Sequence, residues 1–112
     1  MEKNVRLTKR QLNTIHDKCL SLIKEKGPSF FSFRKMRGTV GLCYEDFLEF
    51  DYRKDIIPTM LHECIHYIYP EWSETKVLYA EKRLVNHLTT LQVANFLKII
   101  AQKIYRNELK NQ

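Results

Sequence analysis

Apolar residues recur along this chain at two different periods, and each change of period marks a change of element. Leu12, Ile15, Cys19, Leu22 and Ile23 repeat at helical spacing, Thr8 with Gln11 makes a capping box ahead of them, and Gly27 with Pro28 stops the run, which predicts a helix over 9–25. From 29 to 52 the pattern shifts to short aromatic and β-branched segments at 29–34, 39–44 and 47–51, separated by Met36-Arg37-Gly38 and Glu45-Asp46. Such segments predict strands, here a small antiparallel meander of three. Asp55 can cap the next helix, with Pro58 tolerated in the first turn, and the apolar run continues to about Tyr69 before Pro70 ends it. Ser73 caps a further helix to about Leu88, and Thr89 with Gln92 opens a last one through Val93, Phe96, Leu97, Ile100 and Ile104. The expected class is α+β: a helix, a three-stranded antiparallel sheet, then three helices.

No repeat, low-complexity tract or linker interrupts this order, and 112 residues hold one domain, so residues 1–112 are expected to form a single unit. With 44% hydrophobic and 29% charged residues the chain has the balance of a soluble globular protein. Residues 1–7 lack the apolar stretch of a secretory signal and no later run reaches the ~18 residues of a membrane span, which predicts a cytoplasmic, non-membrane protein. Cys19, Cys43 and Cys64 are odd in number and match no disulfide framework, so they are expected to be reduced. A formal charge of +6 raises nucleic acid as a partner. Its densest groups, Arg34, Lys35 and Arg37 and then Lys3, Arg6, Lys9 and Arg10, favour a solvated surface over a phosphate-binding face.

The chemistry concentrates in the second predicted helix. His62-Glu63-Cys64-Ile65-His66 matches H-E-x-x-H. Residues four apart on a helix project from one face about a turn apart, so both imidazoles can reach one ion. Glu63, turned by about 100 degrees, can serve as general base without becoming a ligand. A catalytic zinc needs a third protein ligand and leaves a fourth position for water. Glu74 and Glu81, seven residues apart, share a face of the next helix. Glu74 is preferred because the short 70–73 turn brings that helix's start back beside His66; Glu81 comes second and Glu71 third. A His/His/Glu set favours zinc among divalent metals. Cys64 points away from the metal face, toward the core, and His16 stands alone on the first helix.

The run from His62 through Glu74 to Val77 resembles the gluzincin branch of zinc metallopeptidases, in which H-E-x-x-H is completed by a glutamate on the following helix. In size and order of elements the chain is similar to the minigluzincins, minimal single-domain members of that branch, and to short phage and prophage H-E-x-x-H proteins. The resemblance implies a zincin-like domain with an active-site helix and a glutamate helix, zinc held by His62, His66 and Glu74, and Glu63 as base and then acid in a zinc metalloendopeptidase. It also implies a zymogen whose tail after Ile104 blocks the cleft. The specific match covers about 56–81 only. A metzincin is excluded, since its third His follows a glycine and no Gly lies beyond position 41.

In such a peptidase an edge strand at 39–44 could hold an extended peptide. Tyr67, Tyr69, Tyr79 or His87 could donate to the oxyanion. Phe30, Phe31 and Phe33 are expected in the sheet core first and as a stacking surface second. The competing function is a non-catalytic zinc-containing module that binds nucleic acid or an acidic protein through its positive charge.

Overall fold

Residues 6–27, 30–51 and 55–110 are described by a computed structural model. The first helix, α1 (Lys9–Glu25), begins as its capping box requires: the Gln11 backbone N–H donates to the Thr8 hydroxyl at 3.1 Å, and the Thr8 N–H donates to the Gln11 side chain at 2.7 Å. Leu12, Ile15, Cys19, Leu22 and Ile23 are buried on one side of it. Three short strands follow, β1 (Phe31–Phe33), β2 (Gly41–Cys43) and β3 (Leu48–Phe50). Then come α2 (Ile56–Ile68), α3 (Glu74–His87) and α4 (Thr90–Lys110). The α+β class and the order of elements are those the periodicity predicts.

The sheet differs from the expected antiparallel meander. Its spatial order is β1-β3-β2, with β1 parallel to β3 and β2 antiparallel to β3. The loop over 44–47 closes the β2–β3 hairpin, and there the Tyr44 N–H donates to the Phe47 carbonyl at 2.9 Å. Seven residues separate β1 from β2, and they carry the chain across the end of β3 rather than reversing it in place. Two contacts hold this crossing: the buried Met36 N–H donates to the Asp51 carboxylate at 3.0 Å, and the Asp51 N–H donates to the Val40 carbonyl at 2.8 Å. Gly38, at φ 79, supplies the left-handed turn that the crossing needs.

Phe31, Leu48 and Phe50 turn one face of the sheet toward Met60, Leu61 and Ile65 of α2, Val77 and Leu84 of α3, and Phe96 and Ile100 of α4, all within one buried cluster with α1. Glu49 occupies the opposite face, nearly buried, and accepts two bonds from Arg34 (2.7 and 3.1 Å) and one each from Tyr44 and Ser32 (3.3 Å). Lys103 ties α4 to the end of α1 by donating to the Lys26 carbonyl at 2.6 Å. Two local expectations change. Asp55 stands at the cap position of α2 but is left-handed (φ 30) and makes no side-chain cap bond, and Leu97 lies on the exposed side of α4. No helix among the described residues is long and apolar enough to cross a membrane.

Candidate metal centre

The polar cluster grows out of two helices joined by a tight turn. Pro70 cannot continue α2, the Trp72 N–H donates to the Tyr69 carbonyl at 3.0 Å, and the Ser73 hydroxyl accepts from the Lys76 N–H at 3.2 Å to start α3. The ring of Tyr69 stacks on that of Trp72 with centroids 4.1 Å apart, which fixes the turn from outside. Cys64 and Ile65 anchor α2 in the core while His62 and His66, one turn apart, emerge half-buried on its other side with ring centroids 4.8 Å apart. The turn delivers Glu74, first residue of α3, to both.

Glu74 Oε1 lies 2.6 Å from His66 Nε2 and 3.2 Å from His62 Nε2, and one ligand atom from each of the three residues falls within 4.8 Å of the others. A tetrahedral ion with bonds of ~2.0–2.1 Å separates its ligand atoms by about 3.3 Å. The His62–Glu74 spacing is that of such an edge, and the His66–Glu74 spacing is that of a charge-assisted hydrogen bond. Glu74 is 63% exposed, so packing alone does not force it onto the imidazoles. Two imidazole nitrogens and one carboxylate oxygen, open to solvent on one side, are a donor set that fits zinc with room for a further ligand.

Glu81 takes a different place from the one its spacing suggested. Its Oε1 lies 3.1 Å from the other ring nitrogen of His62, Nδ1, and its side chain is only 16% exposed. With Nδ1 protonated and donating to Glu81, Nε2 presents its lone pair on the side of His66 and Glu74. This carboxylate–imidazole arrangement orients metal-ligating histidines. Sequence spacing put both glutamates on one face of α3, and the structure divides them between the two nitrogens of one ring.

Glu63 is buried at 7% exposure beside this cluster. Burial raises its pKa first; the neighbouring His62 and His66 oppose that shift, and Glu74 and Glu81 add to it. It reaches a cleft of about 370 Å³ whose walls include Thr39, Val40 and Gly41 from the β2 side, Thr59 and His62 from α2, and Leu78 from α3. Gly41 makes this approach possible. A Cβ there would come within 2.7 Å of the Thr59 Cγ2, 3.1 Å of the Glu63 Cγ and 3.2 Å of the Glu63 Oε2. Gly41 and Thr59 were not singled out by sequence reasoning; the available signal was a glycine inside a short strand, which marks close backbone approach.

Other sequence candidates lie elsewhere. Among the described lining residues of the cleft there is no Tyr67, Tyr69, Tyr79 or His87, and none from α4. Tyr67 packs edge-on against Phe30, Tyr79 accepts a hydrogen bond from Arg83, and His87 meets Asn13. Glu71 is exposed on the turn, outside the cluster. His16 is buried against Phe96 and beside Asp17. Cys64 is fully buried next to Cys19, its pKa driven well up by burial, and Cys43 is half-buried with its pKa pushed up to about 11 by burial and by Glu63. Phe30 and Phe31 are core residues. Of the basic groups, Arg34 pairs with Glu49, Lys35 and Arg37 are exposed beside it, Arg6, Lys9 and Arg10 are exposed at the start of α1, and Lys3 lies outside the described residues. No family model matches the chain, and comparison with curated proteins and with solved structures finds no match.

Proposed function

We propose that this protein is a zinc-dependent metallopeptidase of the gluzincin type, acting in the cytoplasm on a peptide or protein substrate. The observation that carries the reading is the convergence of His62 Nε2, His66 Nε2 and Glu74 Oε1 from two helices, with the buried Glu63 carboxylate at the same cleft. His62, His66 and Glu74 would hold the zinc, and Glu81 would keep His62 in the tautomer that leaves Nε2 free. When bound, zinc supplies Lewis acidity that polarises a peptide carbonyl and makes water more acidic. Glu63 accepts the proton of the attacking water and hands it to the departing amine; desolvation makes its carboxylate a stronger base for the first half of that task. The outer edge of β2 supports an extended substrate, and Val40 and Leu78 flank it with apolar surface. No residue after Ile104 is among the described lining of the cleft.

The test is the metal content of untagged protein combined with cleavage of a peptide library by the wild type and Glu63→Gln. Near-stoichiometric zinc in both, with cleavage lowered at least ~10²-fold in the variant, is the expected result. Wild-type protein without zinc after zinc-replete expression contradicts the reading. Zinc without any cleavage favours the non-catalytic binding module.

A further inference from the structure

The helix α4 carries a second apolar face that none of the described residues covers. Phe96, Ile100 and Lys103 turn inward from α4, whereas Leu91, Ala94, Leu97, Ala101, Tyr105 and Leu109 repeat at intervals of three and four residues on the other side. Leu91 is 80% exposed, Tyr105 66%, Leu109 49% and Leu97 46%. A stripe running some 27 Å along a helix, at about 1.5 Å per residue, is not the scatter of single apolar residues common on surfaces.

The order of sizes along the stripe indicates what fits it. Laid antiparallel against its own copy about a centre near residue 100, the stripe sets Leu91 against Leu109, Ala94 against Tyr105 and Leu97 against Ala101. Each alanine then receives a large side chain. Beside Ala94 there is a groove of about 490 Å³, lined by His16, Leu91, Gln92, Ala94, Asn95 and Lys98, with an apolar floor for a tyrosine ring and amide groups at its rim for the phenol. A parallel pairing would bring the two Lys98 side chains together and leave the alanines facing one another. The antiparallel one moves Lys98 next to Ala101 and Gln102 of the partner copy.

We infer that α4 is the interface of an antiparallel homodimer, with Tyr105 of each copy seated in the groove beside Ala94 of the other. The exposed stripe offers on the order of 450 Å² per copy, or ~900 Å² in the pair, below the ~1,200–2,000 Å² of standard stable complexes. The dimer is therefore a weak one, populated at high protein concentration. This inference is independent of the zinc chemistry, since no α4 residue is among the described lining of the cleft.

Sedimentation equilibrium of the full chain from 5 to 500 µM tests it. Wild-type protein is expected to pass from monomer to dimer across this range. Leu91→Lys and Leu109→Glu, both at exposed positions, are each expected to raise Kd at least tenfold. An equimolar mixture of the two variants is expected to dimerise again, because in the antiparallel register the introduced lysine of one meets the introduced glutamate of the other. Tyr105→Ser is expected to weaken the dimer as well. A wild type that stays monomeric at 500 µM, a mixture that does not recover, or a monomer that instead uses the stripe to bind phosphatidylglycerol vesicles would each overturn the assignment.

Discussion

Replacing Gly41 by alanine should loosen the fold and disturb the cleft for one steric reason. Where a strand glycine has open space above it, adding a methyl usually stabilises a protein by about 0.4–1 kcal/mol, because the unfolded chain loses freedom. At Gly41 the new Cβ would lie 2.7 Å from the Thr59 methyl carbon. Carbon atoms pack best at about 3.5–4.0 Å, so β2 and α2 must part by roughly 1 Å. Forcing an extra methyl into a packed site costs about 1–3 kcal/mol, which outweighs the gain. With about 4–8 °C per kcal/mol in domains near this size, Gly41→Ala should lower Tm by about 5–10 °C in a circular-dichroism melt. Thr59→Ser removes the obstructing methyl and keeps the hydroxyl, so in its background the same glycine substitution should cost about 1 kcal/mol less. Cleavage, in the proposed peptidase, should stay impaired in the double variant, since the next atoms met are the Glu63 Cγ and Oε2 at 3.1 and 3.2 Å. A Gly41→Ala protein that melts at or above the wild type, or a double-mutant cycle without coupling, would refute the steric argument.

Two further expectations separate roles within the polar clusters. Glu81→Ala should weaken zinc affinity about 10–100-fold in chelator competition while leaving a stoichiometric site, as loss of an orienting partner does, whereas Glu74→Ala should abolish stoichiometric binding; equal loss in the two would make Glu81 a ligand. The Glu49 carboxyl is held below the ordinary glutamate pKa chiefly by its hydrogen bonds from Arg34. Because the folded value is the lower one, this pair stabilises the fold above about pH 4.3, the usual glutamate value, and the contribution is lost as pH falls through the folded value. The urea-midpoint deficit of Arg34→Met should therefore be present at pH 7 and shrink toward pH 2; a deficit independent of pH would show that the ion pair is not its source.

What could be read before the structure was what a single helix or turn determines. The H-E-x-x-H spacing places His62 and His66 on one face because helical geometry is local, and Pro70 with the Ser73 cap brings Glu74 back beside them for the same reason. Strand order was not legible: pairing β1 with β3 rather than with β2 is decided by the crossing at Met36 and its bond to Asp51, a contact between residues fifteen apart. The role of Glu81 escaped for a related reason, since spacing gives the shared face of α3 but not which nitrogen of the His62 ring each carboxylate meets. Asp55 shows the limit of residue preference, taking the cap position in a left-handed conformation without using its side chain as a cap.

The insertion of β3 between its neighbours leaves β2 as an edge, and its shortness limits what that edge can hold. Val40 bonds to Asp51 and Tyr44 to Phe47, so by the alternation of an antiparallel ladder Leu42 also faces β3, and only Gly41 and Cys43 direct their N–H and C=O groups outward. An extended peptide lying there gains at most about four backbone hydrogen bonds, each with a net value near 1 kcal/mol. Some 4 kcal/mol corresponds to a Kd of about 1 mM. In the proposed peptidase a substrate gripped by its main chain alone would thus dissociate readily, and selectivity would fall to the walls on either side: the apolar pair Val40 and Leu78, and Asp55 just before α2. A tight Kd for an all-alanine peptide would contradict this division of affinity between backbone and side chains.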